Sequence, residues 1–418
     1  MPARSDRGIL PTLRGFAALS GQYLFAALLP LAVMPRLLQR LGAGEVGSIA
    51  VWQSLILYAG MVVQYGFNLT GPVLLAGAAD AAQRRATFSG VLAARALLAL
   101  LAMAAAALVA ATGLLPVDAV TPLRTGIAMG AIALMALNAT WYHQGMHRFW
   151  APSLCFSLGV VAAAALVLAA VDGPGDRDLA LLALLLPQGV GAIGTFVLAA
   201  NAAGRPQWPP AAAIASLLRR GLPVFASQFV AALYNSAGVL VVAALCGSGQ
   251  AGIYSAAERL AYAAQAGLAL LFTAGYPRLA AMASGARPYF RLALSLLALY
   301  CAGVAVLAAA WLLVGPRLAA AYFGAAYARS GSQLLWAFLG WMALAGFAPS
   351  LTGRLVHTGR AHRVFALTLA LLAVSFAAGW LNVRAFGARG WVYGLLEAQL
   401  LTVACWILEF LPRRRNAA

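Results

Sequence analysis

Gly42-Ala43-Gly44-Glu45-Val46-Gly47 reads G-x-G-x-x-G, and 205 positions later Gly247-Ser248-Gly249-Gln250-Ala251-Gly252 reads it again. Keeping that offset, Leu55 falls on Leu260, Phe67 on Phe272, Pro72 on Pro277, Leu74 on Leu279 and Ala76 on Ala281. A glycine turn, an apolar run and a closing proline therefore recur in register, which marks a fold assembled from copies of one unit. The doubled motif also invites a dinucleotide-binding reading, but that fingerprint needs a preceding strand inside a βαβ unit. Here apolar runs flank it on both sides, so the glycines read as turn residues that let paired helix ends pack closely.

With 63% hydrophobic residues, 9% charged residues and a mean hydropathy of +0.87, the chain cannot clothe a water-soluble globule. In lipid, backbone amides must find partners within the chain, and a helix of about 20 apolar residues spans the hydrocarbon core. Twelve such runs are present, at 15–38, 46–70, 86–112, 123–144, 150–171, 179–202, 219–246, 250–276, 289–314, 331–355, 364–386 and 390–411. The first is long enough to span and is followed by no small-residue cleavage site, so it reads as a retained span, not a signal peptide. The stretch Gly204-Arg205-Pro206-Gln207-Trp208-Pro209-Pro210 breaks helix and separates the halves. The expected fold is an all-α polytopic membrane protein with an N-terminal six-helix lobe (1–204), a cytoplasmic linker (205–218) and a C-terminal six-helix lobe (219–418). Six spans per half relate the lobes by a pseudo-two-fold axis along the membrane normal, an arrangement that puts a substrate path between repeats.

All 28 basic residues are arginines, which with the abundant alanine fits a GC-rich genome. Positive charge marks cytoplasmic loops. With a cytoplasmic N-terminus, 19 arginines, Arg95 among them, are assigned inside. Eight fall outside, Arg36, Arg40, Arg124, Arg177, Arg317, Arg329, Arg384 and Arg389, and the remaining one, Arg259, lies within a span. Both termini are then cytoplasmic. The net charge of +18 becomes a topology signal directed at membrane lipids and no sign of a nucleic-acid partner. Loops are short, with Asp172, Asp176 and Asp178 in one of the most polar outside segments, so no soluble catalytic domain is expected. No G-x-x-x-x-G-K-[ST] occurs, which speaks against self-powered ATP hydrolysis. Cys155, Cys246, Cys301 and Cys405 lack metal or redox spacing and read as packing residues. No cofactor is expected.

His143 and His147, four residues apart, lack a third metal ligand and read as interfacial anchors beside Trp141, Tyr142 and Trp150. His357 and His362, with Arg354, Arg360 and Arg363, form a basic loop that contacts lipid headgroups or receives a phosphorylated substrate. The eighth run carries the main site signal, because intramembrane charges are costly and usually face a cavity or a partner. At 100° per residue, Ser255, Glu258, Arg259, Tyr262, Gln265 and Thr273 fall within an arc of roughly 120°, opposite Ile253, Leu260, Gly267, Leu268 and Leu271. The alternative is a neutralising Glu258–Arg259 pair without a substrate role. The 205-residue offset maps Glu258 onto Gln53, which shares a face with Gln64 and Asn68; Gln228, Asn235 and Gln22 add polar groups on neighbouring runs. These are either site residues or interhelical glue. Glu397, read as a second buried acid, is with Glu258 a candidate for ion coupling or, alternatively, a packing residue.

Leu41-Gly42, Tyr65-Gly66-Phe67-Asn68-Leu69-Thr70, Ala257-Glu258-Arg259-Leu260 and Tyr276-Pro277-Arg278-Leu279 resemble, in order and spacing, the O-antigen flippase family of the multidrug, oligosaccharidyl-lipid and polysaccharide exporter superfamily. Gly71-Pro72 departs from that pattern, where members often continue toward a basic residue. The resemblance implies a twelve-helix transporter that moves an undecaprenyl-pyrophosphate-linked oligosaccharide from the cytoplasmic to the outer leaflet of the bacterial inner membrane. It implies alternating access, no enzymatic activity, and a polysaccharide polymerase of the same pathway as a possible partner. Arg259 would meet the pyrophosphate, while Gln53, Gln64, Asn68, Gln228, Asn235 and Tyr262 would meet the glycan. Rival readings are a cation-coupled multidrug exporter of the same superfamily and a membrane enzyme of envelope polysaccharide synthesis. The topology is testable in a variant lacking the four native cysteines: Arg205→Cys should react with an impermeant thiol reagent only from the cytoplasmic side, and Asp176→Cys only from the outer side.

Overall fold

A chain this apolar must close its backbone hydrogen bonds locally, and helices do so. The computed structural model describes residues 29–113, 120–282 and 285–410, and every regular element among them is helical. Two compact units form, Met1–Phe229 and Val230–Ala418. Unit 1 contains α1 (29–40), α2 (Ala43–Gln64), α3 (Phe67–Ala76), α4 (Ala81–Ala111), α5 (Pro122–Leu137), α6 (Thr140–Gly145), α7 (Trp150–Ala170), α8 (Arg177–Ala203) and most of α9 (Ala211–Ser236). Unit 2 contains the end of α9, α10 (Gly238–Ala281), α11 (Ala286–Phe323), α12 (Ala328–Ala345), α13 (Phe347–His357), α14 (Ala361–Phe386) and α15 (Ala388–Phe410). Helix α9 thus begins inside the stretch read as a linker and runs through the unit boundary.

Ten segments of the described residues are long and apolar enough to cross a membrane. The longest, Ala211–Ala281, holds two of the twelve expected runs, because α10 is broken at Gly247. A Cβ on Gly238 would collide with the Tyr254 hydroxyl, so the chain folds back between them; along a straight helix these residues would lie about 24 Å apart. The run 15–38 is described only from residue 29, and Gln22 and both termini lie outside the described residues.

The repeat in sequence is also a repeat in conformation. Gly42 has φ 82° and ψ 164°, and Gly247 has φ 83° and ψ 169°. Side-chain-bearing residues avoid this region, so glycine is required at both turns. The halves then diverge. Helix α2 stops at Gln64, Tyr65 turns left-handed with φ 46°, Gly66 follows with φ 76°, and α3 begins at Phe67. The expected single run 46–70 is therefore two helices, whereas α10 continues from Gly247 to Ala281 with no further non-helical residue. Both halves also interrupt a later span, at Asn138-Ala139 between α5 and α6 and at Gly346 between α12 and α13.

Without a hydrophobic driving force between helices in lipid, close approach through small residues holds the bundle together. Gly394 and Gly390 of α15 lie against the α14 backbone at Gly379 and Asn382, and Gly159 of α7 lies against Pro187 of α8. Cys155 packs on Gly194, as expected of a packing thiol. Trp141, Tyr142 and His143, expected as interfacial anchors, are instead buried. The short α6 packs its aromatic residues into a cluster with Phe67 and Phe88, and Gly71 makes room for the Trp141 ring. His143 Nε2 lies 2.9 Å from the Thr195 carbonyl oxygen.

Gly247 and Gly249 both have open space where a side chain would go, yet only Gly247 has a positive φ. Gly247→Ala is expected to cost about 1–3 kcal/mol from backbone strain, while Gly249→Ala leaves stability unchanged or slightly raised. Thermal unfolding of the two variants in detergent measures the difference.

Candidate functional site

The second run of α10, 248–281, is buried all round at its start, from Ala251 to Ala257, and opens from Glu258 onward. The expected polar arc is accordingly graded: Ser255 is buried and bonds the Gly252 carbonyl, Glu258, Arg259, Tyr262 and Gln265 are half-buried, and Thr273 is exposed. Tyr254, one turn before Glu258 on the same face, donates its hydroxyl to Glu258 Oε1 at 3.0 Å. Arg259 lies within electrostatic reach of both Glu258 and Tyr322. The Tyr322 hydroxyl, from the end of α11, donates to the Ala256 carbonyl at 3.3 Å and so fixes α11 against α10. Helix α12 supplies an aromatic wall, with Tyr262 at 5.6 Å from Trp341 and 6.4 Å from Phe338, centroid to centroid. The cluster therefore combines one acid, one permanent cation, three phenols and an indole. Tyr254, Tyr322, Phe338 and Trp341 were not found by sequence reasoning; only Tyr254, four residues before Glu258, had a local signal.

The polar residues of unit 1 are arranged differently. Arithmetic at 100° per residue placed Asn68 on one face with Gln53 and Gln64, but it assumed a continuous helix, and the break at Tyr65-Gly66 intervenes. Asn68 nevertheless reaches back, its Nδ2 donating to Gln64 Oε1 at 2.5 Å. Gln53, half-buried, sits about three turns earlier in α2. Gln228 is half-buried on α9. Beside it Phe225 stacks on Tyr65 at 4.6 Å and Phe229 meets Tyr58 edge-on at 6.5 Å, so α9 covers the end of α2. The side chain of Asn235 lies outside the described residues.

Glu397 is not buried as expected. The inner face of α15 is taken by Trp391, Gly394, Leu395, Ala398 and Thr402, which leaves Glu397 exposed and accepting from Asn382 Nδ2 at 2.9 Å. Arg95 errs the other way. Assigned to a cytoplasmic loop, it lies inside α4, 1% exposed, and donates to the backbone carbonyls of Met135 and Asn138. These carbonyls are freed where α5 ends at the Asn138 break, and the guanidinium meets both them and the negative end of the helix dipole. Its place within the apolar run 86–112 was the available signal. In the basic loop, Arg360 forks onto Glu409 at 2.9 and 2.5 Å, and Arg354 lies 3.8 Å from the same carboxylate. The Glu409 hydrogen bonds raise the Arg360 pKa above its ordinary value. Among the described residues no cluster could hold a metal ion.

This architecture is shared with solved transporters. The lipid II flippase MurJ in an inward closed conformation superposes with a TM-score of 0.72 at 11% identity, over 96% of this chain and 87% of that one. An inward-facing multidrug resistance MATE family transporter of the MOP superfamily matches with a TM-score of 0.63 at 14% identity, over 95% of this chain and 96% of its own. The class is thereby defined as a multi-pass helical membrane protein whose fold is like that of these transporters. Within it, a family model described as polysaccharide biosynthesis protein matches residues 12–283, and the chain belongs to that family. A Shigella dysenteriae protein named "Putative O-antigen transporter" is 24% identical over 331 residues, covering 78% of this chain and 80% of its own.

Arg95→Met would leave the Met135 and Asn138 carbonyls buried without a donor, at about 1–3 kcal/mol per unsatisfied group. A thermal scan in detergent should show a clear loss of stability, larger than for Arg148→Met at an exposed site.

Proposed function

We propose that this chain is a flippase that carries an undecaprenyl-pyrophosphate-linked oligosaccharide, an O-antigen or related surface polysaccharide repeat unit, across the bacterial inner membrane. The observation that carries this reading is Arg259, a permanent cation within a membrane-length helix, with Tyr322 in electrostatic reach and Tyr262, three residues on, packed against the Trp341 indole, in a chain of the polysaccharide biosynthesis family. A diphosphate crossing a lipid-shielded path needs fixed positive charge with forked donors, and arginine supplies both. Tyrosine and tryptophan faces and the amides Gln53, Gln64 and Gln228 suit sugar rings and hydroxyls. The polyprenyl tail stays in lipid. The path opens in turn to the two sides, with both termini and residues 205–218 cytoplasmic, and no covalent step is involved. A cation-coupled drug exporter would call for buried acids, and with Glu397 exposed only Glu258 remains.

The test compares surface polysaccharide at matched protein levels for Arg259→Ala and Arg259→Lys. The alanine variant is expected to lose about tenfold or more, the scale of one lost charge-assisted contact. The lysine variant should recover part of it. Normal polysaccharide in both removes Arg259 from the mechanism.

A further inference from the structure

Arginines expected on the outer side run against the tendency of basic residues to stay inside. In unit 1 three of the four are neutralised: Arg36 by Asp172 at 2.8 Å, Arg124 by Asp178 at 2.6 Å and Arg177 by Glu45 at 2.8 Å. In unit 2 none of Arg317, Arg329, Arg384 and Arg389 forms an ion pair among the described residues. The repeat shows how this difference arose. The 205-residue offset carries Arg124 onto Arg329 but Glu45 onto Gln250, so the second copy kept the cation without its anion. Arg124 is 3% exposed whereas Arg329 is exposed. The acids of unit 2 are engaged elsewhere: Glu258 with Tyr254, Glu397 with Asn382 and Glu409 with arginines at the opposite end of α15.

The fold gathers these cations at one end. Helix α11 turns into α12 at Gly324, α14 turns into α15 at Gly387, and α12 and α15 pack together with Gly340 close to Leu396. The arginines flank both turns. Arg384 lies 5.3 Å over the Trp380 ring, and Phe386 meets Tyr393 edge-on at 5.5 Å. Exposed aromatic residues of this kind sit at headgroup depth, which places the cations level with lipid phosphates.

We propose that this end of unit 2 binds the diphosphate headgroup of a prenyl lipid on the outer side of the membrane. The inference rests on the flippase reading and adds where the headgroup is held once it has crossed. Arginine forks match phosphate oxygens in pairs, and a diphosphate presents enough of them to engage more than one guanidinium. An ordinary phospholipid presents a single phosphate.

Purified protein in phosphatidylcholine nanodiscs is titrated with farnesyl pyrophosphate, comparing the parent chain, Arg329→Gln with Arg389→Gln, and Arg259→Ala. The double variant is expected to bind about tenfold more weakly, on the scale of lost charge-assisted contacts, with an unchanged unfolding temperature. Adding phosphatidylglycerol to a third of the lipid should shift the parent affinity by less than about twofold. Parent-like binding by the double variant, with loss confined to Arg259→Ala, overturns the outer site and leaves the flippase reading standing. Displacement by phosphatidylglycerol makes bulk anionic lipid the occupant and also overturns the proposal. No binding by the parent chain overturns both readings.

Discussion

The constraint on which the structure depends is that a backbone group in lipid has no water to turn to. Long helices meet it without help, so the informative places are those where helices stop. At Asn138 the last carbonyls of α5 would be stranded, and Arg95 reaches across from α4 to receive them. Charge and break are each unfavourable alone and are compatible only together. At Tyr65-Gly66 the interruption is covered by Phe225 of α9, and in unit 2 the Gly346 break has Tyr300 packed directly on it. Adding 205 to 95 gives 300, so a guanidinium beside one interruption corresponds to a phenol beside the other, although the interruptions are three residues out of register and Gly346, unlike Asn138, keeps helical φ and ψ.

The duplication keeps its backbone at the glycine turns and not its charge. The Gly42 and Gly247 turns agree within a few degrees, because a positive φ combined with that ψ disfavours residues with a side chain. Side chains eleven residues further on are under no such restriction, and there Gln53 of one copy corresponds in sequence to Glu258 of the other, with Arg259 beside it. A duplicated scaffold can thus keep its turns while the charge changes in one copy. Arg124 and Arg329 show the same drift, the first enclosed by two carboxylates and the second exposed.

Much of the fold was legible because hydropathy and the glycine repeat are local signals. The long apolar runs and the reversal at Gly247 could be read directly from them. The break after Gln64 could not, since Tyr65 has no local reason to turn left-handed and does so where Phe225 stacks on it from 160 residues away. The site was legible only in outline. Glu258 and Arg259 stand out as charges in an apolar run, but Tyr322 comes within reach of Arg259, and Phe338 and Trp341 pack on the nearby Tyr262, through tertiary packing. Arg95 and Glu397 were misplaced for one shared reason: charge in a run says that something is unusual, while the face it occupies depends on which neighbours take up the apolar positions.

Arg95 also bears on how the protein is made. Helix α4 leaves the ribosome before α5, and the carbonyls that receive its guanidinium lie 40 and 43 residues further along the chain. Until those residues emerge, α4 carries a charge whose insertion near a helix centre costs about 2.5–3.5 kcal/mol. The alanines and leucines of α4 offset that cost enough for the helix to enter, but it settles only when its successor arrives. The native partners of the Arg95 guanidinium are therefore complete only once α5 has joined α4.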